Sequence, residues 1–303
     1  MQDSNNLDLD RALGFAIPSR SARGRIVRLG AVLDRVLSAH AYPPAIEALL
    51  AEALTLAALM GSTLKDPSGQ MTMQAQTKDG VVSLLVCDYK GGELRGYAQF
   101  DEERLAELPA EPSLRDLFGE GYLAITFDLA VTKERYQGIV PLDGASLSEA
   151  AQYFFVQSEQ IPSFVRVGID KRGDGATVAG GLFLQHLPEG ELGRERLHVR
   201  LDHPEWEHVA ALGNTMHADE LADPTVSLET LVWRLFHEEE GVRTLQSTEL
   251  SRGCRCTPEH IRGVIAKFPI EERREMAGAD GMITVDCRFC AQKFAVEVGE
   301  EMA

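Results

Sequence analysis

Four of the five cysteines fall within the last fifty residues, as Cys254-Arg255-Cys256 and, after thirty intervening residues, Cys287-Arg288-Phe289-Cys290. Thiolates are soft ligands, and two close pairs can supply the four corners of a tetrahedron around one Zn2+, with Zn–S near ~2.3 Å. Four sulfurs saturate such an ion and leave no open position for water or substrate, so a catalytic metal is not expected. The usual reading of a saturated site is a structural zinc ribbon. Two features weaken it. The first pair is spaced Cys-x-Cys in place of the usual two-residue gap, and oxidising it closes a very small, strained ring, which favours a labile disulfide over a permanent staple. Zinc also keeps the sulfurs as thiolates, the form that oxidants attack. On spacing alone, a structural and a redox role both stay open.

The residues between the pairs contain the elements needed to bring them together. Thr257 is suited to cap a helix with Pro258 at its first position, and Ile261, Val264, Ile265 and Phe268 recur at helical spacing before Pro269. Asp280-Gly281 reads as a turn into Met282-Ile283-Thr284-Val285, and Phe294, Val296 and Val298 alternate as a strand does. The second pair is therefore expected at the tip of a β-hairpin. A module of this size is too small to hold itself by a core alone. Its metal must supply folding free energy, on the order of 10–16 kcal/mol for structural zinc in small fingers.

Upstream, Ile46, Leu49, Leu50, Ala53, Ala57 and Met60 follow Tyr42-Pro43-Pro44 at helical spacing. Apolar residues on nearly every face predict a deeply buried helix there. Residues 24–30 alternate in a way that fits strand or helix. Strands are predicted over 71–76, 81–87 and 94–100, joined by turns at Lys78-Asp79-Gly80 and Lys90-Gly91-Gly92. A hairpin over 122–127 and 137–140, a helix over 148–158 and a strand pair flanking Lys171–Gly175 follow. Hairpins mixed with isolated helices predict an α+β fold. We expect an N-terminal mixed α/β domain with antiparallel hairpins over 1–187, a helical linker region over 188–250, and a small C-terminal four-cysteine zinc domain over 251–298. The charged, glycine-bearing run 188–196 opens the linker. Within it, Leu228, Leu231, Val232, Leu235 and Phe236 form one apolar stripe behind Ser227 as N-cap. Such a stripe has to be buried, and if it packs near the zinc module, loss of that module uncovers it. Cys87, outside the motif, reads as a small apolar strand residue.

The 303 residues carry 30 Lys and Arg against 47 Asp and Glu, a formal charge of −17, which disfavours nucleic acid and anionic membranes as partners. A nucleic-acid-binding zinc ribbon is the main alternative. Such a binder normally shows a basic face, whereas residues 251–303 hold eight Lys/Arg against nine Asp/Glu, a net of −1. There is no run of eighteen apolar residues, and Met1-Gln2-Asp3-Ser4-Asn5-Asn6 does not read as a secretory signal, so the reducing cytoplasm is the expected compartment. Five cysteines there do not suggest a structural disulfide framework. Enzyme signatures are weak. His237-Glu238-Glu239-Glu240 lacks a second zinc-binding histidine, His198, His203, His208 and His217 have no regular metal spacing, and Gly173-Asp174-Gly175 is not a dinucleotide fingerprint. No enzyme is expected.

The cysteine pairs and their separation resemble those of the redox-regulated heat-shock chaperones of 33 kilodaltons, a family of bacterial holdases. The resemblance extends over nearly the whole chain, through Gly121-Tyr122, Glu134-Arg135-Tyr136-Gln137-Gly138-Ile139-Val140, Ser158-Glu159-Gln160-Ile161-Pro162-Ser163, Ala179-Gly180-Gly181 and Trp233-Arg234-Leu235-Phe236-His237-Glu238-Glu239-Glu240. It implies that Cys254, Cys256, Cys287 and Cys290 are redox-active and together bind one Zn2+ per chain when reduced. It further implies that oxidation pairs Cys254 with Cys256 and Cys287 with Cys290, releases zinc and activates the protein. The oxidised form, as a homodimer, would hold unfolding client proteins under oxidative and heat stress.

Overall fold

The computed structural model describes residues 8–173, 175–187 and 203–299. Strand β1 (Arg11–Ile17) turns through Pro18–Arg20 into β2 (Ala22–Leu29), which leads to helix α1 (Ala31–Leu37) and the long helix α2 (Pro44–Gly61). The ambiguous stretch over 24–30 is thus strand as far as Leu29, and Gly30 caps α1. Strands β3 (Gln70–Gln76), β4 (Val82–Lys90) and β5 (Glu93–Phe100) come next, then the short helices α3 (Glu102–Ala106) and α4 (Leu114–Phe118). The hairpin β6 (Tyr122–Leu129) and β7 (Glu134–Pro141), helix α5 (Leu147–Phe154) and the pair β8 (Ser163–Lys171) and β9 (Thr177–His186) follow. The expected linker opening over 188–196 lies outside the described residues. Beyond it stand α6 (Pro204–Thr215), α7 (Ala218–Ala222) and α8 (Leu228–Phe236). Three two-residue strands, β10 (Arg243–Thr244), β11 (Thr248–Glu249) and β12 (Ser251–Arg252), lead into α9 (Pro258–Ile265), α10 (Ile270–Met276) and the hairpin β13 (Met282–Asp286) and β14 (Lys293–Glu297).

Two six-stranded sheets enclose α2. The first runs β10-β1-β2-β9-β8, with β11 also on β1, and the second runs β12-β5-β4-β3-β6-β7. Among the described residues α2 is the one helix long and apolar enough to cross a bilayer, and 72% of it is buried inside this fold. Its alanines and leucines allow that. Leu50, Leu54 and Ala57 belong to one core with Met71, Met73 and Leu85 of the second sheet and Val27 and Phe183 of the first. Cys87 is fully buried in that core, as expected of a small apolar strand residue.

The first sheet is apolar on its other face too. Phe15, Ile17, Ile26 and Leu184 form a second core with Trp206, Val209, Leu221 and the stripe Leu228, Leu231, Val232, Leu235 and Phe236. This corrects one expectation. The stripe is covered by β1, β2 and β9, not by the cysteine module, because those strands carry apolar side chains on both faces and need a second layer. Ser227 caps α8 as read, its hydroxyl accepting from Thr230 N–H at 3.2 Å.

Helix α7 is seated more closely than side chains allow. A Cβ added to Gly168 would fall 1.7 Å from Ala218 O, and one added to Gly180 would fall 2.0 Å from Leu221 O. Beside this seat, the fully buried Arg28 guanidinium donates to Leu221 O at 2.9 Å and Val226 O at 2.7 Å. Burial lowers the basicity of Arg28, opposed by the nearby carboxylates of Asp8 and Asp223. Arg20, on the β1–β2 turn, ties the same layer down by pairing with Glu205 of α6 and with Glu239 beyond α8, which also meets His208 Nε2 at 2.6 Å.

The strap over 243–252 joins this layer to the cysteines. β10 and β11 add to β1 of the first sheet, and β12 pairs in parallel with β5 of the second. Strands of two residues leave no periodic signal, which is why the strap is not visible in the sequence pattern.

Candidate metal centre

Each cysteine pair is held by a short, locally specified element. Gly253 N–H donates to Leu94 O at 2.9 Å, so the chain enters Cys254 directly from the edge of the second sheet. Thr257 caps α9 as read, its hydroxyl accepting from His260 N–H at 3.1 Å, with Pro258 at the first position. The second pair lies at the tip of the β13–β14 hairpin. There Cys287 N–H donates to Gln292 O at 2.9 Å, and Ala291, in the left-handed region with φ 57°, donates back to Cys287 O at 2.8 Å. Gly281, with φ 73°, makes the turn before β13.

The four sulfurs converge. Sγ–Sγ separations are 3.0 Å for Cys254–Cys256, 3.2 Å for Cys256–Cys290 and 3.5 Å for Cys254–Cys287, and all four atoms lie within 4.8 Å of one another. All four are free thiols. The edge of a zinc tetrathiolate is about 3.8 Å, as follows from Zn–S near ~2.3 Å, whereas a disulfide is near ~2.05 Å. The donor set and its convergence fit zinc, and the four cysteines can hold such an ion. Burial disfavours the Cys254 thiolate, but hydrogen bonds from Cys256, Cys287 and Cys290 outweigh it and bring its pKa down to about 7. Burial pushes Cys256 and Cys287 up. A cleft of about 210 Å³, lined by Arg252, Cys254, Cys256, Cys290 and Gln292, opens onto the sulfurs.

The module has little else to hold it. Ile265, Ile283 and Val296 form its buried cluster, with Ile261 and Val285 packed at the margin, and Phe294 of β14 is buried as well. Val264 and Phe268, read as part of one stripe with Ile261 and Ile265, are exposed. The module is docked by the residues between the cysteines of each pair. Arg255 donates to Gln70 Oε1 at 2.6 Å, the Phe289 ring lies 4.1 Å from the Arg95 guanidinium, and Arg288 O meets His40 Nε2 at 2.8 Å. Sequence reasoning missed these anchors. The only signal was the presence of large side chains inside both cysteine intervals.

The other sequence candidates do not gather. His198 and Asp174 lie outside the described residues. His203 and His217 cap α6 and α7, and His237 stacks on Trp233 with ring centroids 4.6 Å apart. Among the described residues the cysteine cluster is the one group able to hold a metal. Cys87 differs in its chemistry: complete burial raises its pKa well above that of a free thiol. Iodoacetamide at pH 8 is therefore expected to alkylate the four motif thiols of the chelator-treated chain and to spare Cys87, as peptide mass mapping would show. Labelling of Cys87 at a comparable rate would contradict its burial.

The sequence profile of the family described as Hsp33 protein matches residues 10–297. The 33 kDa chaperonin of Caulobacter vibrioides is 41% identical over 302 residues, covering 97% of each chain. That of Pseudomonas fluorescens is 33% identical over 295 residues, covering 97% of this chain and 93% of its own. The fold is similar to the crystal structure of the 33 kDa chaperonin (heat shock protein 33 homologue) from Thermotoga maritima, with a TM-score of 0.77 and 22% identity over 95% of both chains. The family matched over this length is a chaperone family and not an enzyme family. The chain belongs to the Hsp33 family. Its function is that of a chaperone, which binds unfolded client proteins.

Proposed function

We propose that this chain is a redox-regulated holdase of the cytoplasm, inactive with zinc on Cys254, Cys256, Cys287 and Cys290 and activated when those thiolates are oxidised. The observation that carries this reading is the convergence of four sulfurs in a module with only a handful of buried apolar side chains, Ile265, Ile283, Phe294 and Val296. Bound there, Zn2+ supplies the cross-link that the core cannot. A motif thiolate attacks peroxide, expels hydroxide and becomes a sulfenic acid, and a neighbouring thiolate then displaces the second hydroxide to close a disulfide. Each disulfide so formed passes two electrons to one peroxide. Pairing of Cys254 with Cys256 and of Cys287 with Cys290 rests on the family resemblance. Paired sulfurs no longer act as thiolate donors, so the module loses its cross-link.

Arg255, Arg288 and Phe289 lie between the ligand cysteines, so unravelling these loops also undoes the docking contacts. β12 is next in the chain, then β11 and β10. Release of this strap loosens the layer that carries the stripe of α8, which parts the stripe from the apolar face of the first sheet, within 1–187, and makes that face available to clients. We assign residues 251–298 as the switch, 188–250 as the linker that it releases and 1–187 as the part that binds clients and dimerises. The charge of −17 keeps client complexes dispersed and makes nucleic acid and anionic membranes poor partners.

The test is peroxide treatment at mildly raised temperature, with zinc release followed by a chromogenic chelator and chaperone action by light scattering of a heat-denatured protein. The oxidised chain is expected to release one zinc and suppress scattering, and the reduced chain to do neither. Equal protection by both forms would remove the switch.

A further inference from the structure

Three arginines stand within or beside the cysteine pairs, and they are used differently. Arg255 donates to Gln70 and Arg288 reaches the Tyr97 hydroxyl, so both are held by the second sheet. Arg252 has no side-chain hydrogen bond or ion pair among the described residues, and it lines the cleft of about 210 Å³ that opens onto the sulfurs. Strand β12 fixes its place, since Ser251 N–H donates to Gly92 O at 3.0 Å and Gly253 N–H to Leu94 O at 2.9 Å on either side of it. Gln292 shares the lining. Its backbone carbonyl accepts from Cys287 N–H, and the residue is exposed. Cys254, Cys256 and Cys290 complete the wall, all half-buried, and among the described residues no carboxylate lines the cleft.

Oxidation of a thiolate by a peroxo compound develops charge where this cleft has donors. The sulfur attacks one peroxo oxygen, the S–O bond forms as the O–O bond breaks, and the electron pair of the O–O bond departs on an oxyanion. A thiolate and peroxymonosulfate thus give a sulfenic acid and sulfate. A chain of charge −17 repels such an anion, and a local positive charge offsets that repulsion. A guanidinium stays charged and presents paired N–H donors to an oxyanion, and an amide adds a neutral N–H donor.

We infer that this cleft is the approach of small peroxo oxyanions to the cysteine sulfurs, with Arg252 and Gln292 as positioning residues that hold the incoming anion and receive the departing one. The inference rests on the proposed oxidation of these thiolates and adds to it the residues that select the oxidant.

The experiment uses the full-length, zinc-loaded chain, with peroxymonosulfate as the anionic oxidant and hydrogen peroxide as the neutral one. Zinc release is followed by a chromogenic chelator in stopped flow. The quantity read is the ratio of the two second-order rate constants, because a change in stability or in thiolate reactivity acts on both oxidants and largely cancels. Arg252→Gln is expected to lower that ratio by about threefold or more, and Arg252→Lys to retain most of it. Gln292→Glu sets a negative charge in the same cleft without altering β12 and is expected to lower the ratio in the same direction. Arg262→Gln removes a charge of α9 from outside the lining and is expected to keep the parent ratio. A parent-like ratio in both Arg252→Gln and Gln292→Glu, or an equal fall in Arg262→Gln, overturns the approach cleft while leaving the switch intact. A parent chain that releases no zinc with either oxidant overturns the switch, and the cleft's role with it.

Discussion

Cys290→Ser and, separately, Cys287→Ser are expected to lower the zinc content of the purified chain from one equivalent to a small fraction of that and to unfold residues 251–298. A serine hydroxyl is a hard, neutral donor at pH 7 and does not replace a thiolate on zinc. The free energy at stake is large, on the order of 10–16 kcal/mol for a structural zinc site. Against it the module can set Ile265, Ile283, Phe294 and Val296, a core that by itself supplies about 3–5 kcal/mol at most. The docking contacts of Arg255, Arg288 and Phe289 do not rescue it, because they are positioned by the same loops. Metal analysis and hydrogen exchange check both parts. Exchange protection should vanish from α9, β13 and β14 and persist in β3, β4 and β9. Undiminished zinc in both variants would refute the ligand set.

The second large effect is expected from Gly180→Ala. The new methyl group would lie 2.0 Å from Leu221 O, a backbone atom that cannot swing aside, so α7 must lift from the sheet. Lifting it also takes Leu221 O away from the buried Arg28 guanidinium, which among the described residues has no carboxylate within hydrogen-bond reach to replace it. Overpacking and the lost charged hydrogen bond together cost about 2–5 kcal/mol. The reduced, zinc-loaded variant should bind a hydrophobic dye and suppress aggregation without peroxide, at full zinc content. Gly173→Ala, where nothing lies within 4 Å of the added methyl, should behave as the parent does. A reduced Gly180→Ala chain that melts and behaves like the parent would show that α7 does not hold the linker layer closed.

Much of the local structure is legible because it is written in short-range chemistry. The Thr257-Pro258 cap, the Asp280-Gly281 turn and the alternation of β3 depend on neighbours within a few residues, and each forms as the spacing predicts. Helix α2 is legible for the same reason, its apolar residues lying on every face. The stripe of α8 is legible as buried, but not what buries it. Amphipathicity states that a face needs cover, and many partners of similar hydrophobicity satisfy that need. The strap over 243–252 and the seat of α7 leave almost no pattern, since a two-residue strand has no period and a glycine is silent about what approaches it.

The sequence by itself therefore determined the two cysteine pairs as a donor set able to hold a metal, the smallness of the terminal module and the positions of most helices and strands, because these follow from side-chain type and local spacing. Only the tertiary structure decided that the four sulfurs converge within 4.8 Å, that the first sheet and not the cysteine module covers Leu228–Phe236, and that Arg255, Arg288 and Phe289 rest on the second sheet. Those are contacts between residues far apart in the chain. Their geometry is fixed by packing two sheets around α2, a global condition that no short window of residues carries.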